Sequence, residues 1–192
     1  MSEPRFAAIV IGASAGALEA LSGILPALPK GYRIPIMIVV HLPPDKKSVL
    51  ADLLQAKCEL DVHEAQDKEP IEDGTVYIAP PDYHLLIERD RYLSLSSEEP
   101  VLFSRPSIDV LFETAADAYG ESLIGIILTG ANNDGALGLK AIVDAGGMAL
   151  VQQPELAYAP MMPQAALEAC PDAQVLKLQE IATYLKEAVT IT

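Results

Sequence analysis

Serine, histidine and aspartate can together run acyl transfer, and in this chain one of each stands just after a run of Val and Ile. Ser14 lies in Gly12-Ala13-Ser14-Ala15-Gly16, a G-x-S-x-G sequence that follows the apolar run 6–11. A turn of this kind between a buried strand and a helix lifts a serine hydroxyl to the carboxyl edge of a sheet. Small neighbours leave room there for a substrate carbonyl, and the N–H groups at the start of the following helix suit a developing oxyanion. His41 ends Ile36-Met37-Ile38-Val39-Val40, and Asp134 lies in the loop Thr129 to Gly135 after the apolar run 123–128. A nucleophilic serine needs a base, and the base needs an orienting carboxylate. Adjacent parallel strands end on one edge, which is where open α/β sheets bind ligands. Taken singly, Ser14 and Asp134 could each be no more than a helix cap, and His41 a polar strand end. Three such residues at three strand ends favour a triad.

The competing reading of the first turn is a dinucleotide fingerprint. It fails on two positions, because Ser14 occupies the middle glycine site and Ala17 the third. His63 and His84, the remaining histidines of three, read as structural. Cys58 and Cys170 have no metal-ligand spacing and read as free thiols of a reduced compartment. No metal or cofactor is expected.

The elements that must hold these residues follow from periodicity. Runs 6–11, 34–40, 123–128 and 148–152 are continuously apolar, as strands covered on both faces are. Helical patterns cover 15–27, 48–56, 109–119, 135–145 and 179–188. Strand and helix in alternation predict a doubly wound α/β fold, a mostly parallel sheet between helical layers. Short β-like pieces at 75–79, 85–88 and 92–95 predict a small antiparallel meander inserted into it. No linker or repeat interrupts residues 1–192, so one domain is expected.

Of 192 residues, 13 are Lys or Arg and 27 are Asp or Glu, a formal charge of −14. That field repels phosphate backbones and anionic lipid, and argues against nucleic-acid partners. The apolar runs are too short to span a bilayer, and the N-terminus lacks the pattern of a secretory signal. A cytoplasmic protein is expected.

The sequence resembles the catalytic domain of the chemotaxis-receptor methylesterases of CheB type. The stretches that carry the resemblance are IGASAGALEAL, VVHLPPD, Glu64-Ala65-Gln66-Asp67, VYIAPPDYHLLI, SRPSIDVLFETAADAYG, GIILTGANNDGALGLKAI and MMPQAAL, from about Ala7 to Leu185. The resemblance implies a Rossmann-like three-layer fold and hydrolysis of glutamyl γ-methyl esters on receptor cytoplasmic helices, with glutamine deamidation in some members. By motif, the triad falls on Ser14, His41 and Asp134, with backbone N–H groups near Ala15 and Ala131 for the oxyanion. Arg105 could contact receptor acids or form a structural ion pair, and Met161 and Met162 could line the site wall or pack. Lys46, Lys47 and Arg105 are the basic residues expected near the substrate.

The chain departs from the family pattern at Ala15 and Ala17, where Thr and Gly are usual, and at Ala131-Asn132, where Met-Gly is usual. The second departure keeps open an alternative, a weakly catalytic chemosensory binding module of the same fold. The family's familiar form also carries an N-terminal phosphoacceptor receiver. With its first strand starting at Phe6 this chain is expected to lack one, as a free-standing esterase or an excised domain.

Overall fold

A computed structural model of the chain describes residues 5–42 and 48–189. Seven strands form one sheet in the order β3-β4-β2-β1-β7-β8-β9, and every pairing in it is parallel. The strands are β1 (Ala8–Ala13), β2 (Ile36–Val40), β3 (Asp61–Glu64), β4 (Thr75–Ile78), β7 (Leu123–Ile127), β8 (Met148–Gln152) and β9 (Gln174–Leu176). The three central strands β2, β1 and β7 are buried at every residue. Their side chains alternate between two apolar layers. Ile9, Ile11, Ile36 and Ile38 face one, which includes Leu21, Leu54 and Ile181. Val10, Met37 and Val39 face the other, which includes Ile108, Phe112, Leu139 and Met162. Helices α1 (Ala17–Ser22), α2 (Leu50–Gln55) and α6 (Leu178–Ala188) supply the first layer. Helices α3 (Ile108–Tyr119), α4 (Ala136–Asp144) and α5 (Met161–Ala169) supply the second. A sheet covered on both faces has no room for alternating polar residues, which is why its strands read as unbroken apolar runs.

The antiparallel insertion is smaller than the sequence suggests. Thr75–Ile78 pairs in parallel with both β2 and β3, so it belongs to the main sheet. Among the described strands, β5 (His84–Ile87) and β6 (Leu93–Ser96) pair antiparallel, as a two-stranded hairpin. All four residues of β4 are buried, a pattern that the mixed sequence Thr-Val-Tyr-Ile does not advertise. The first helical pattern is also divided: α1 stops at Gly23, and Leu25–Ala27 makes a separate 3₁₀ turn.

Two close approaches bring α3 to the site. A Cβ on Gly12 would lie 2.4 Å from Ile108 Cγ2, so only glycine lets the start of α3 settle against the end of β1. A Cβ on Gly138 would lie 2.6 Å from Phe112 Cβ and 3.0 Å from Asp109 Cα, which fixes how tightly α3 and α4 cross.

Candidate active site

Register decides which strand ends meet. Ala13 pairs with Val40 across β1 and β2, and the His41 N–H donates to the Ala13 carbonyl at 3.3 Å. Ser14 and His41 therefore leave the sheet side by side. On the other flank, Gly12 pairs with Ile127, and the Ser14 N–H donates to the Thr129 carbonyl at 2.9 Å. Thr129 is buried and staples the turn. Its hydroxyl donates to the Ala15 carbonyl at 2.8 Å and accepts the Ala159 N–H at 2.9 Å. Gln152 Oε1 accepts the Thr129 N–H at 2.9 Å.

Asp134 has no solvent exposure. Its Oδ2 accepts from His41 Nε2 and from the Ile108 N–H, both at 2.7 Å. Its Oδ1 accepts from the Ser107 hydroxyl and the Asp109 N–H, both at 3.0 Å. Two of these donors are backbone N–H groups of the first turn of α3, so the carboxylate caps that helix while it holds the histidine. Burial is the largest single influence on the Asp134 carboxyl and opposes its charge. The hydrogen bonds from His41, Asp109 and Ile108 outweigh it and hold the carboxyl below the ordinary range.

That ionised partner fixes the imidazole. Asp134 can only accept, so His41 Nε2 carries the proton and Nδ1 presents a lone pair. The Asn132 amide nitrogen stands 3.1 Å from Nδ1, and Asn132 Oδ1 accepts the Asp134 N–H at 3.0 Å. The His41 side chain is 12% exposed. Among the described residues the Ser14 hydroxyl has no hydrogen-bond partner, and neither have the N–H groups of Ala15 and Ala131. The structure thus brings His41 and Asp134 into contact, sets Ser14 beside them at the strand ends, and leaves the Ser14 hydroxyl and two backbone N–H groups without partners among the described residues.

A second set of contacts supports the first. Buried His84 accepts the Ser107 N–H on Nδ1 at 3.1 Å and donates from Nε2 to the Glu99 carbonyl at 3.0 Å. It anchors the residue that precedes α3. Asp109 Oδ1 accepts the Gly135 and Gly138 N–H groups at 3.0 and 2.7 Å. Its carboxyl is pushed up to about 6, first by burial and further by the neighbouring Asp134 charge, against the pull of the Gly138 and Gly135 donors. Ser107, Asp109, Thr129 and Asn132 are not singled out by residue type or spacing, although each lies inside a stretch that carries the family resemblance.

A cleft of about 380 Å³ opens beside His41, lined by Leu42, Asp82, Phe103, Arg105 and Pro106. Arg105 turns inward. Its Nη2 and Nε reach Asp82 Oδ1 at 2.7 and 3.2 Å, and its Nη1 donates to the Ser97 and Glu98 carbonyls at 2.9 and 3.0 Å. Phe103 stands fully exposed on the rim. Met161 begins α5 and is 55% exposed, whereas Met162 is buried against Gly130. Lys46 and Lys47 lie outside the described residues. His63 is remote from this edge, on β3, and bonds Asp61 and Glu69 at 3.2 and 2.6 Å. Among the described residues no group of three or more His, Cys, Asp or Glu could hold a metal ion, and no helix is long and apolar enough to cross a membrane.

Comparison with known proteins assigns the chain to a family. The CheB methylesterase family model matches residues 9–185. The crystal structure of the Thermotoga maritima CheB methylesterase catalytic domain superposes with a TM-score of 0.91 at 33% identity, covering 98% of this chain and 100% of that one. A Leptospira interrogans relative is 51% identical over 178 residues, 93% of this chain and 92% of its own. The protein-glutamate methylesterase/protein-glutamine glutaminase of Archaeoglobus fulgidus is 37% identical over 177 residues, 91% of this chain but 51% of its own. This chain therefore spans about half the length of the Archaeoglobus relative. The chain belongs to the CheB methylesterase family.

Proposed function

We propose that the protein hydrolyses glutamate γ-methyl esters on the cytoplasmic helices of chemoreceptors and releases methanol. The observation that carries this reading is the His41 Nε2 to Asp134 Oδ2 bond of 2.7 Å at the strand end next to Ser14. It leaves Nδ1 as the basic nitrogen. The Ser14 hydroxyl loses its proton to Nδ1 as its oxygen bonds the ester carbonyl carbon. The N–H groups of Ala15 and Ala131, unpartnered among the described residues, are the donors available to the resulting oxyanion. The carbonyl–methoxy bond breaks, His41 returns the proton, and methanol leaves. Water then repeats the sequence on the glutamyl-serine ester, giving free Ser14 and a glutamic acid side chain, which becomes the carboxylate as its proton passes to solvent. Asp134 stabilises the imidazolium at both stages. A glutamine side chain attacked in the same way would release ammonia, which is the deamidase activity.

The open cleft beside His41 suits a residue presented on a helical surface. Arg105 serves this reading as a strut of the cleft wall, since its guanidinium is bonded within the protein, and Met161 lies on the accessible side of α5. Purified protein and receptor carrying methyl-labelled esters are expected to yield volatile methanol. Ser14→Ala should abolish the release while leaving the fold intact. Equal release from the variant would overturn the proposal, and receptor binding without turnover by the unaltered protein would favour the binding-module alternative.

A further inference from the structure

Both nitrogens of the His41 ring are engaged in the resting structure, one by Asp134 and the other by Asn132. The orientation of the Asn132 amide is settled by its second bond. Oδ1 accepts the Asp134 N–H at 3.0 Å, so the NH₂ group must face His41. An NH₂ group can bond Nδ1 only when that nitrogen holds a lone pair. Asn132 therefore matches the ring whose Nδ1 is unprotonated, and it engages the one lone pair to which the Ser14 hydroxyl could donate. Consistent with this, the Ser14 hydroxyl is unpartnered among the described residues.

We propose that Asn132 is a positioning residue that acts as a latch on the base: it caps the His41 Nδ1 lone pair until the amide is displaced, and Ser14 can be deprotonated only after it leaves Nδ1. The inference rests on the reading of Ser14 as nucleophile and His41 as base. A glycine at this position could not make the contact. The latch is thus a property of this chain's Asn132 side chain, carried on the loop that also presents the Ala131 N–H.

The test uses a fluorophosphonate probe, which needs no receptor. Ser14 Oγ bonds phosphorus, the phosphorus–fluorine bond breaks, fluoride leaves, and the hydroxyl proton passes to His41 Nδ1. Asn132→Ala and Asn132→Gly should both label faster than the unaltered protein, by roughly five-fold, the equivalent of about 1 kcal/mol for one hydrogen bond. In the nitrogen-15 spectrum of the His41 ring, both substitutions should move Nδ1 downfield, toward an unbonded lone pair, and leave Nε2 in place. Unchanged or slower labelling in both variants, or an unmoved Nδ1 resonance, would overturn the latch. Ser14→Ala and His41→Gln report on the underlying reading instead. If they label as fast as the unaltered protein, the nucleophile and base assignments fail, whatever Asn132 does.

Discussion

Asp134 and Asp109 cap each other's helices. Asp134 comes from the loop before α4 and receives the N–H groups of Ile108 and Asp109 in the first turn of α3. Asp109, in that first turn, receives the N–H groups of Gly135 and Gly138 at the start of α4. The carboxylate that orients His41 is thus one half of a reciprocal joint between two core helices.

Replacing Asp134 should therefore damage two properties together. Asp134→Asn is expected to lower ester turnover by about 10⁴. It should also destabilise the fold by roughly 1–3 kcal/mol, because an amide cannot accept on both sides as the carboxylate does. His41→Gln should lose comparable activity with a much smaller change in melting temperature. Turnover and thermal unfolding measured on both variants check the contrast, and an Asp134→Asn protein as stable as the parent would contradict the joint.

Asp109 gives a pH signature of opposite sign to an ordinary paired carboxylate. Its folded-state value, about 6, lies above the unfolded value of 3.8. The folded state then binds this proton more tightly, so stability is highest below the unfolded value and declines as pH rises through about 4 to 6. The loss is on the order of 2–3 kcal/mol by linkage. Asp109→Asn should flatten that interval in denaturant titrations at several pH values. A variant with the parent's slope there would show that Asp109 is not its source.

Gly138 sits where α3 and α4 touch, and its absent side chain faces Phe112 Cβ and the Asp109 backbone. Gly138→Ala gains intrinsic helix propensity of about 1 kcal/mol. The steric conflict, typically 1–3 kcal/mol, should exceed that gain, because one neighbour is main chain. A lower unfolding midpoint with reduced turnover is expected, since spreading the helices also pulls Asp109 from Gly135. A stabilised variant would mean that the crossing can relax.

Arg105 and Asp82 should behave as one unit. The guanidinium spends its donors on Asp82 and on the Ser97 and Glu98 carbonyls, shaping the cleft wall. Arg105→Ala and Asp82→Ala are each expected to raise KM for receptor substrate several-fold, and the double variant should be no worse than the worse single one. If only Arg105→Ala raises KM, the guanidinium meets substrate directly.

The central strands are legible in the sequence because burial on both faces removes polar residues from them. For the same reason Ser14 and His41 stand out as the first polar residues past two of those runs, and Asp134 lies in the loop that follows a third. Thr75–Ile78 is harder to assign, since four mixed residues give no period and only its two parallel neighbours identify it as a core strand. The helix joint is invisible in one dimension. Asp109 and Asp134 are 25 residues apart, and an aspartate in a first turn ordinarily serves its own helix. Asn132 is visible as a departure from the family pattern. Its contact with His41, 91 residues away, depends on how β2 and the loop after β7 end beside one another.

The full burial of an ionised Asp134 also bears on the direction of the proposed reaction. The ester would arrive uncharged and leave as a carboxylate, formed close to an anion with no water around it. Once His41 has given up its proton, no cation remains within that hydrogen-bonded set to offset the two like charges, and their repulsion acts through a medium that screens poorly. A site built on this aspartate would admit its substrate and repel its product, so demethylated receptor should be a poor inhibitor of further turnover.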